Sequence, residues 1–329
     1  MRDVGEAAGV SLKTVSRVVN AEPGVGADTR AKVERAIDAL GFQRNDLARS
    51  LRDGRTSATV GLVIGDLANP FYAGIARGAE QVAHEHGRLL ITASSEEDPG
   101  RERQLVASLS ARRVDGLLLV PSGADHGFLV DAQRHGLAVV VLDRQPEDAQ
   151  TDAVLLDNVG GAHQAVRHLL AHGHRRIGVI GDAPSIVTTA ERLEGYRRAL
   201  ASAGIAVDDN LLRLGPHDVV EAERAAHDLL ACADPPTAVF TANNRMTVGA
   251  LRALRTLGWT HVGLVGFDDL ELADLLPTPV TVVSHDPSEM GRRAAELLFA
   301  RIEGRGGPVR RIVLATRLVL RGSGEVAAR

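Results

Sequence analysis

"VGLVIGDLANPFYAGIARGAE", Val60 to Glu80, sets two periodicities side by side. It begins with an apolar run that lacks polar alternation, the pattern of a strand buried on both faces. It then spaces apolar residues as one face of a helix does, and "FYAGIARGAEQVAHEHG" continues that face. The same grammar recurs in "RLLITA", "DGLLLV", "AVVVLD", "AVLLD", "RIGVIG", "TAVFTA", "VGLVGFD", "VTVVS" and "RIVLATRLVLRG". Apolar strands alternating with amphipathic helices predict parallel sheets covered on both faces, a doubly wound α/β architecture. The strands are too many for one compact half. Two similar subdomains are therefore expected, with a ligand crevice at the carboxyl ends of their strands.

Ahead of this body lies a head of different character. "DVGEAAG" and "SLKTVSRVVN" read as two short helices joined by a tight turn, with Gly9 in the turn and Ser11 as N-cap. Val4, Ala8, Val10, Val15 and Val18 or Val19 can pack inward, which leaves Leu12, Lys13, Ser16, Arg17 and Asn20 outside by helical spacing. In "ADTRAKVERAIDALGF", Asp28 is the expected N-cap, Val33, Ala36, Ile37 and Leu40 form the apolar stripe, and Gly41 is the stop. "RNDLARSLRDGRTSATVG" follows, where Asn45 can cap a helix reaching Leu51, with Leu47, Ala48 and Leu51 on one face. Helices below about 12 residues rarely persist alone in water, so this one needs a partner.

Composition narrows the function. The 329 residues are 44% hydrophobic and 24% charged, an ordinary globular balance. Cys232 is the only cysteine, which excludes an intrachain disulfide and a cysteine-rich zinc site. "MRDVGEAAGV" lacks the apolar core of a signal peptide, and no apolar run approaches the roughly 20 residues that span a bilayer. A cytoplasmic protein without membrane partners is expected. The net charge of -4 hides an asymmetry: residues 1 to 55 carry ten Lys and Arg against eight acidic residues, and the chain's only lysines, Lys13 and Lys32, both lie there. A slightly basic head on an acidic body suggests local nucleic-acid contact.

These stretches together resemble the LacI-type family of bacterial transcription repressors nearly end to end. The resemblance rests on "DVGEAAGVSLKTVSRVVN", "LARSLRDGRT", "GLVIGDLANPFYAGIARGAE", "RRVDGLLLVPS", "DNVGGAHQAVRHLLAHGHRRIGVIG", "ERLEGYRRAL", "PPTAVFTANNRMTVGALRAL", "VGFDD" and "MGRRAAELLFARIEG", in that order. It implies an α/β protein with a three-helix helix-turn-helix DNA-binding head over 1–44 and a hinge helix and linker over 45–57. A periplasmic-binding-protein-like body of two doubly wound parallel-sheet subdomains then covers 58–329. The N-subdomain is expected over about 58–157 and 286–311, the C-subdomain over about 158–285 and 312–329. A bacterial, nucleoid-associated repressor of catabolic or transport genes is implied. Its partners are then a second copy of the chain, a pseudo-palindromic operator, and an effector such as a sugar or nucleoside.

In a helix-turn-helix the second helix enters the major groove. The resemblance makes Leu12 and Lys13 the specificity-setting pair and Arg17 a further base contact, one suited to guanine O6 and N7. It adds Ser11, Thr14, Ser16, Asn20 and Thr29 to the DNA-contacting set. In the hinge it implies Asn45, Ala48, Leu51 and Arg52, with Leu51 wedged into a minor-groove base step. Family heads usually start a few residues earlier with a threonine that caps the first helix, where this chain has Met1 and Arg2. Proline and asparagine usually precede the hinge, where this chain reads "FQRN".

For the body, the resemblance implies effector contacts at Asn69, Phe71, Ser94, Ser122, Asp143, Arg192, Asn243, Asp268 and His285. Carboxylates and amides pair with hydroxyls, and an aromatic covers a sugar face. Asn244 stands where the family commonly has aspartate, and His285 where it commonly has glutamine. No catalytic constellation is evident, and neither a metal nor a cofactor is expected. The histidine pairs in "HEHG" and "HGHRR" are two apart, not the i, i+4 pair of a helical zinc site. No glycine-rich phosphate loop has the required spacing. The alternatives are a sugar-binding transport receptor, favoured by the body alone, and an α/β enzyme. The head and the absent signal peptide oppose the first.

Overall fold

A computed structural model describes residues 1–20, 22–42, 57–146 and 150–328. The chain divides into two units, Met1–Ser57 and Ala58–Arg329. The hinge positions Asn45, Ala48, Leu51 and Arg52 lie outside the described residues.

The head contains α1 (Arg2–Ala8), α2 (Leu12–Val19) and α3 (Ala27–Ala39). Val4, Val15, Val18, Val33 and Ala36 form its small core, with Ala8, Val10, Val19, Val25, Ile37 and Phe42 packed around it. One expectation needs correction: Gly26, in extended backbone, takes the cap position of α3, and Asp28 falls inside the first turn. There its charge still meets the positive end of the helix dipole. Gly41 does adopt a left-handed φ just past the helix.

The body opens with β1 (Thr59–Ile64), α4 (Pro70–Glu85), β2 (Leu89–Ser94), α5 (Pro99–Ala111), β3 (Gly116–Leu119), α6 (Gly127–Arg134), β4 (Ala138–Leu142) and β5 (Asp152–Leu156). It continues with α7 (Asn158–Ala171), β6 (Ile177–Gly181), α8 (Val187–Ser202), β7 (Leu212–Leu214), α9 (Val219–Leu230), β8 (Ala238–Thr241), α10 (Asn244–Leu257), β9 (Gly263–Phe267) and β10 (Thr281–Ser284). It closes with α11 (Pro287–Ile302), β11 (Arg311–Leu314) and β12 (Arg317–Val319). The first lobe's sheet runs β11-β5-β4-β3-β1-β2 and is parallel throughout. The second runs β12-β10-β9-β8-β6-β7, parallel except where β12 meets β10.

Strands such as β3, β5, β6 and β9 are buried along their whole length, because helices cover both faces. In the first lobe α4 and α11 cross so closely that a Cβ on Gly78 would stand 1.9 Å from the Ser288 carbonyl oxygen. The chain passes between lobes at residue 157, at 285–286 and at 315–316. "RIVLATRLVLRG" is thus two strands, one in each sheet, and the second lobe resumes after Leu314 rather than at residue 312. All of β11 pairs with β5, from Arg311 against Ala153 to Leu314 against Leu156, and this holds the segment in the first sheet.

Candidate DNA interface and ligand cleft

The recognition face of the head follows from the burial of α2. Val15 and Val18 anchor the helix to α1 and α3, so the residues between them turn outward. Leu12 is 57% exposed, and Ser11 and Lys13 are exposed beside it. Thr14, Ser16, Arg17 and Asn20 are half-buried along the same helix. Gly9, with φ +65°, makes the turn between α1 and α2, a conformation that a side chain resists. The Ser11 hydroxyl accepts from the Thr14 amide at 3.2 Å and lies 2.9 Å from the Thr14 hydroxyl. The Asn20 amide donates to Ser16 Oγ and Glu22 Oε1, both at 3.3 Å, which ties the end of α2 to the following loop. Thr29 is half-buried in the first turn of α3. A helix with an apolar underside and this polar outer face can lie in a groove with Lys13 and Arg17 toward phosphates and base edges.

The cleft of the body forms where loops at the carboxyl ends of both sheets face each other around a cavity of about 310 Å³. Asn69 caps α4 by accepting from the Phe71 amide at 3.1 Å, and its Oδ1 also accepts from Asn244 Nδ2 of the other lobe at 2.8 Å. A second bridge between lobes joins Arg245 to Asp66. Phe71 packs edge-on against Tyr72 at 5.0 Å and His285 at 5.5 Å. Asn243 caps α10 through the Met246 amide at 2.9 Å and donates to Asp182.

Two charged assemblies face each other. In the second lobe Arg192 donates from Nε to Asn158 Oδ1 at 2.9 Å and from a terminal nitrogen to the Ala242 carbonyl at 2.5 Å. Its guanidinium lies 3.8 Å from the Phe267 ring centroid and 3.6 Å from Asp268 Oδ2, while His285 Nε2 meets Asp268 Oδ1 at 2.9 Å. Burial raises the Asp268 carboxyl, but Arg192 and His285 outweigh it and hold the group below its ordinary value. In the first lobe Arg144 grips both oxygens of Glu97 and donates to the Pro121 carbonyl at 3.1 Å and the Tyr72 hydroxyl at 3.3 Å. Burial pushes Glu97 up as well, and Arg144 brings it down again.

Asp143 differs from both. It is buried at φ +65°, with Arg144 Nε 3.5 Å from one carboxylate oxygen and no partner for the other. Burial raises its pKa despite the nearby arginines. Asp182 is raised for the same reason. The cleft therefore holds carboxylates that a ligand's hydroxyl or amino donors can satisfy.

Asn69, Phe71, Asp143, Arg192, Asn243 and Asp268 line this cavity together. Ser94, Ser122 and His285 do not. The Ser94 hydroxyl donates to the Gly65 carbonyl at 3.1 Å, and the Ser122 hydroxyl is 3.0 Å from that of Ser95. His285 is buried behind Asp268 and orients it. Ser94 ends its strand and hydrogen-bonds within the wall. The chain then turns at Glu96 and Glu97, both at positive φ, so these glutamates reach the cavity instead. The cavity is also lined by Asp66, Tyr72, Arg144, Asp182, His217 and Arg245, which the sequence did not single out, most of them in or directly after the stretches "GDLANPFY", "AVVVLD" and "TANN". Among the described residues, no group of three or more histidine, cysteine or acidic side chains is placed to hold a metal, and no helix is long and apolar enough to cross a membrane.

A helix-turn-helix head on a body with a polar cleft between two lobes defines a ligand-controlled DNA-binding protein. Residues 1–45 match the family of bacterial regulatory proteins of the lacI type, and residues 57–319 match the periplasmic binding proteins and sugar-binding domain of the LacI family. The HTH-type transcriptional regulator CelR of Thermobifida fusca is 38% identical over 332 residues, covering 98% of this chain and 97% of that one. A solved complex of transcriptional regulator CelR with cellobiose is 35% identical with a TM-score of 0.75, covering 98% of both chains. The lac repressor dimer bound to operator and the anti-inducer ONPF is 26% identical with a TM-score of 0.83, again over 98% of both. The chain belongs to the LacI family of bacterial transcriptional regulators. It is a DNA-binding regulator rather than an enzyme, and the match over the head weighs against the transport-receptor alternative.

Proposed function

We propose that the protein represses catabolic or transport genes as a homodimer on a pseudo-palindromic operator, with a sugar or related hydroxyl-rich metabolite in the cleft as effector. Two heads read half-sites in adjacent major grooves through Leu12, Lys13 and Arg17. The paired hinge segments, with Ala48 and Leu51, occupy the minor groove between them. The similarity to an operator-bound dimer supports this arrangement. The observation that carries the effector reading is the unpartnered, buried oxygen of Asp143, opposite Arg192, Asp268 and Asn243 of the other lobe. A polyol that donates to Asp143 and bonds the opposite set changes the balance between lobe orientations, and a complex of the relative CelR with cellobiose supports a sugar. The coupling needed is modest, since about 1–3 kcal/mol alters DNA affinity roughly 5- to 150-fold.

A thermal-shift panel of pentoses, hexoses, disaccharides, nucleosides and purines tests the effector. A ligand at 100 times its Kd adds about 2.7 kcal/mol, enough to move the melting point by several degrees. Stabilisation by a neutral polyhydroxylated compound is expected. Silence across the panel contradicts the assignment.

A further inference from the structure

Across the cleft, the two lobes meet at the starts of two helices. Asn69 caps α4 in the first lobe, and Asn244 and Arg245 are the first residues of α10 in the second. Asn69 Oδ1 accepts from the Phe71 amide at 3.1 Å and from Asn244 Nδ2 at 2.8 Å. Asp66, in the same loop, turns one oxygen to the Ala68 amide at 2.7 Å and the other to Arg245. The His217 carbonyl, 3.4 Å from the other terminal nitrogen of Arg245, steadies that guanidinium from its own lobe. Both the amide bond and the ion pair cross between the lobes.

We infer that these two contacts form a latch that sets how far the lobes close, with Asn244 and Arg245 as the positioning residues that tune how strongly the cleft controls the head. This inference rests on the reading of the body as the controller of DNA binding. Three observations carry it. First, hydrogen-bond chemistry fixes the direction of the Asn69–Asn244 bond. The Asn69 atom that receives the Phe71 amide is an oxygen, so its partner on the other lobe must be a donor, and the Asn244 amide is one. The aspartate expected at this position has no hydrogen to give. It would also stand beside Asp268, which already takes the backbone amide of Asn244. The amide side chain thus makes a bond between lobes that a carboxylate forbids. Second, both contacts are shielded from water: Asn244 is 5% exposed, and the Asp66 and Arg245 side chains are 28% and 24% exposed. Such pairs are screened less than fully solvated ones. Third, two helix N-termini that meet bring like partial charges together, and the Asp66 carboxylate sits at that junction and offsets their repulsion. A latch that favours the closed arrangement before a ligand arrives raises apparent ligand affinity and shrinks the conformational change that the ligand can make.

Pulsed electron resonance on the full chain tests the latch, with spin labels at Ala124→Cys and Ser185→Cys, exposed positions on opposite lobes, in a Cys232→Ser background. Without added ligand, Asn244→Asp and Arg245→Gln are each expected to lengthen and broaden the label distance, and Arg245→Lys, which keeps the charge, to restore it toward the wild-type value. Anisotropy on a palindromic duplex selected from a randomised pool is the second readout. Asn244→Asp and Arg245→Gln are expected to shift its affinity in the same direction, by about threefold or more. Asp66→Asn, Arg245→Gln and the double variant should give one common shift, since either substitution alone opens the same contact. Label distances equal to wild type in every variant overturn the latch and leave a ligand-controlled regulator intact. Effects of Asp66→Asn and Arg245→Gln that add in full overturn the pairing. Lobes that part while DNA affinity stays at the wild-type value overturn the inference together with the reading on which it rests.

Discussion

The head carries most of its candidate DNA-contacting residues on one eight-residue helix, whereas the cleft of the body gathers its lining from loops and helix starts spread between Gly65 and Asp268. In the head, the burial of Val15 and Val18 alone decides which side chains face outward, so helical spacing is a sufficient guide. In the cleft, some side chains are aimed by the loops after the strands, while Phe71, Tyr72, Arg192 and Arg245 are aimed by the helices α4, α8 and α10 that follow. Asp143 and Asp268, both at positive φ, sit in conformations that strand periodicity does not encode. A surface read by periodicity tolerates exchange of its outer residues, while a site built from buried, mutually paired groups does not. Each unit can therefore be disabled separately, and four substitutions test that separation.

The largest effect is expected for Arg192→Ala. Removing one partner of a buried charge pair costs about 3–5 kcal/mol, because Asp268 is left charged without its guanidinium. Chemical denaturation followed by probes in each unit should show the body destabilised and effector binding lost. Val15→Ala is the corresponding test in the head. Val15 is wholly buried in a core of five residues, and its truncation should cost roughly 2 kcal/mol, reducing operator binding while cleft affinity stays at the wild-type value. Circular dichroism and ligand titration on the same sample check both parts.

Arg17→Ala is expected to remove about 1–3 kcal/mol of discrimination between operator and random duplex without altering either fold. Competition binding against both DNAs measures it, and an equal loss on both would assign Arg17 to the phosphate backbone. The smallest effect belongs to Asp143→Asn. Because burial raises this carboxyl above its unfolded value, its ionisation costs stability in full above the raised pKa, and the cost declines as pH falls below that pKa and is gone below the unfolded carboxylate range. The amide should raise the melting temperature at neutral pH, converge with wild type in acid, and weaken effector binding. Glu97 and Asp268, both lowered, act in the opposite sense: their stabilisation is full above the unfolded carboxylate range and is lost as pH falls through their depressed values.

The sequence made the architecture legible because both sheets consist of short apolar runs between amphipathic helices, and only β7 and the last segment escaped that reading. β7 is three half-buried residues at a sheet edge, "LRL", too short for alternation to register. "RIVLATRLVLRG" carries no glycine or proline at Ala315–Thr316, where the chain changes sheets, so nothing local marks the break. For the cleft, the alternation of strands and helices predicted a crevice at the strand ends, and of the residues that the family resemblance implied, Asn69, Phe71, Asp143, Arg192, Asn243 and Asp268 line the cavity. Ser94 and Ser122 stay out of the cavity because their hydroxyls bond within the wall, Ser94 to the Gly65 carbonyl and Ser122 with Ser95, and the lining resumes only at Glu96, two residues past the strand end. Arg144 was missed because its role depends on Glu97, 47 positions away, and no local pattern reports such a pair.

The central claim is that a ligand in the cleft governs the affinity of the head for DNA. Its most direct test is fluorescence anisotropy of the full chain on a palindromic duplex selected from a randomised pool, with and without a saturating stabilising ligand and at two salt concentrations. The account predicts a salt-sensitive preference for the selected duplex over random DNA, and a shift of 5-fold or more in that affinity when the ligand is added. Equal affinity for both duplexes, or a selective affinity that the ligand leaves unchanged, would contradict it.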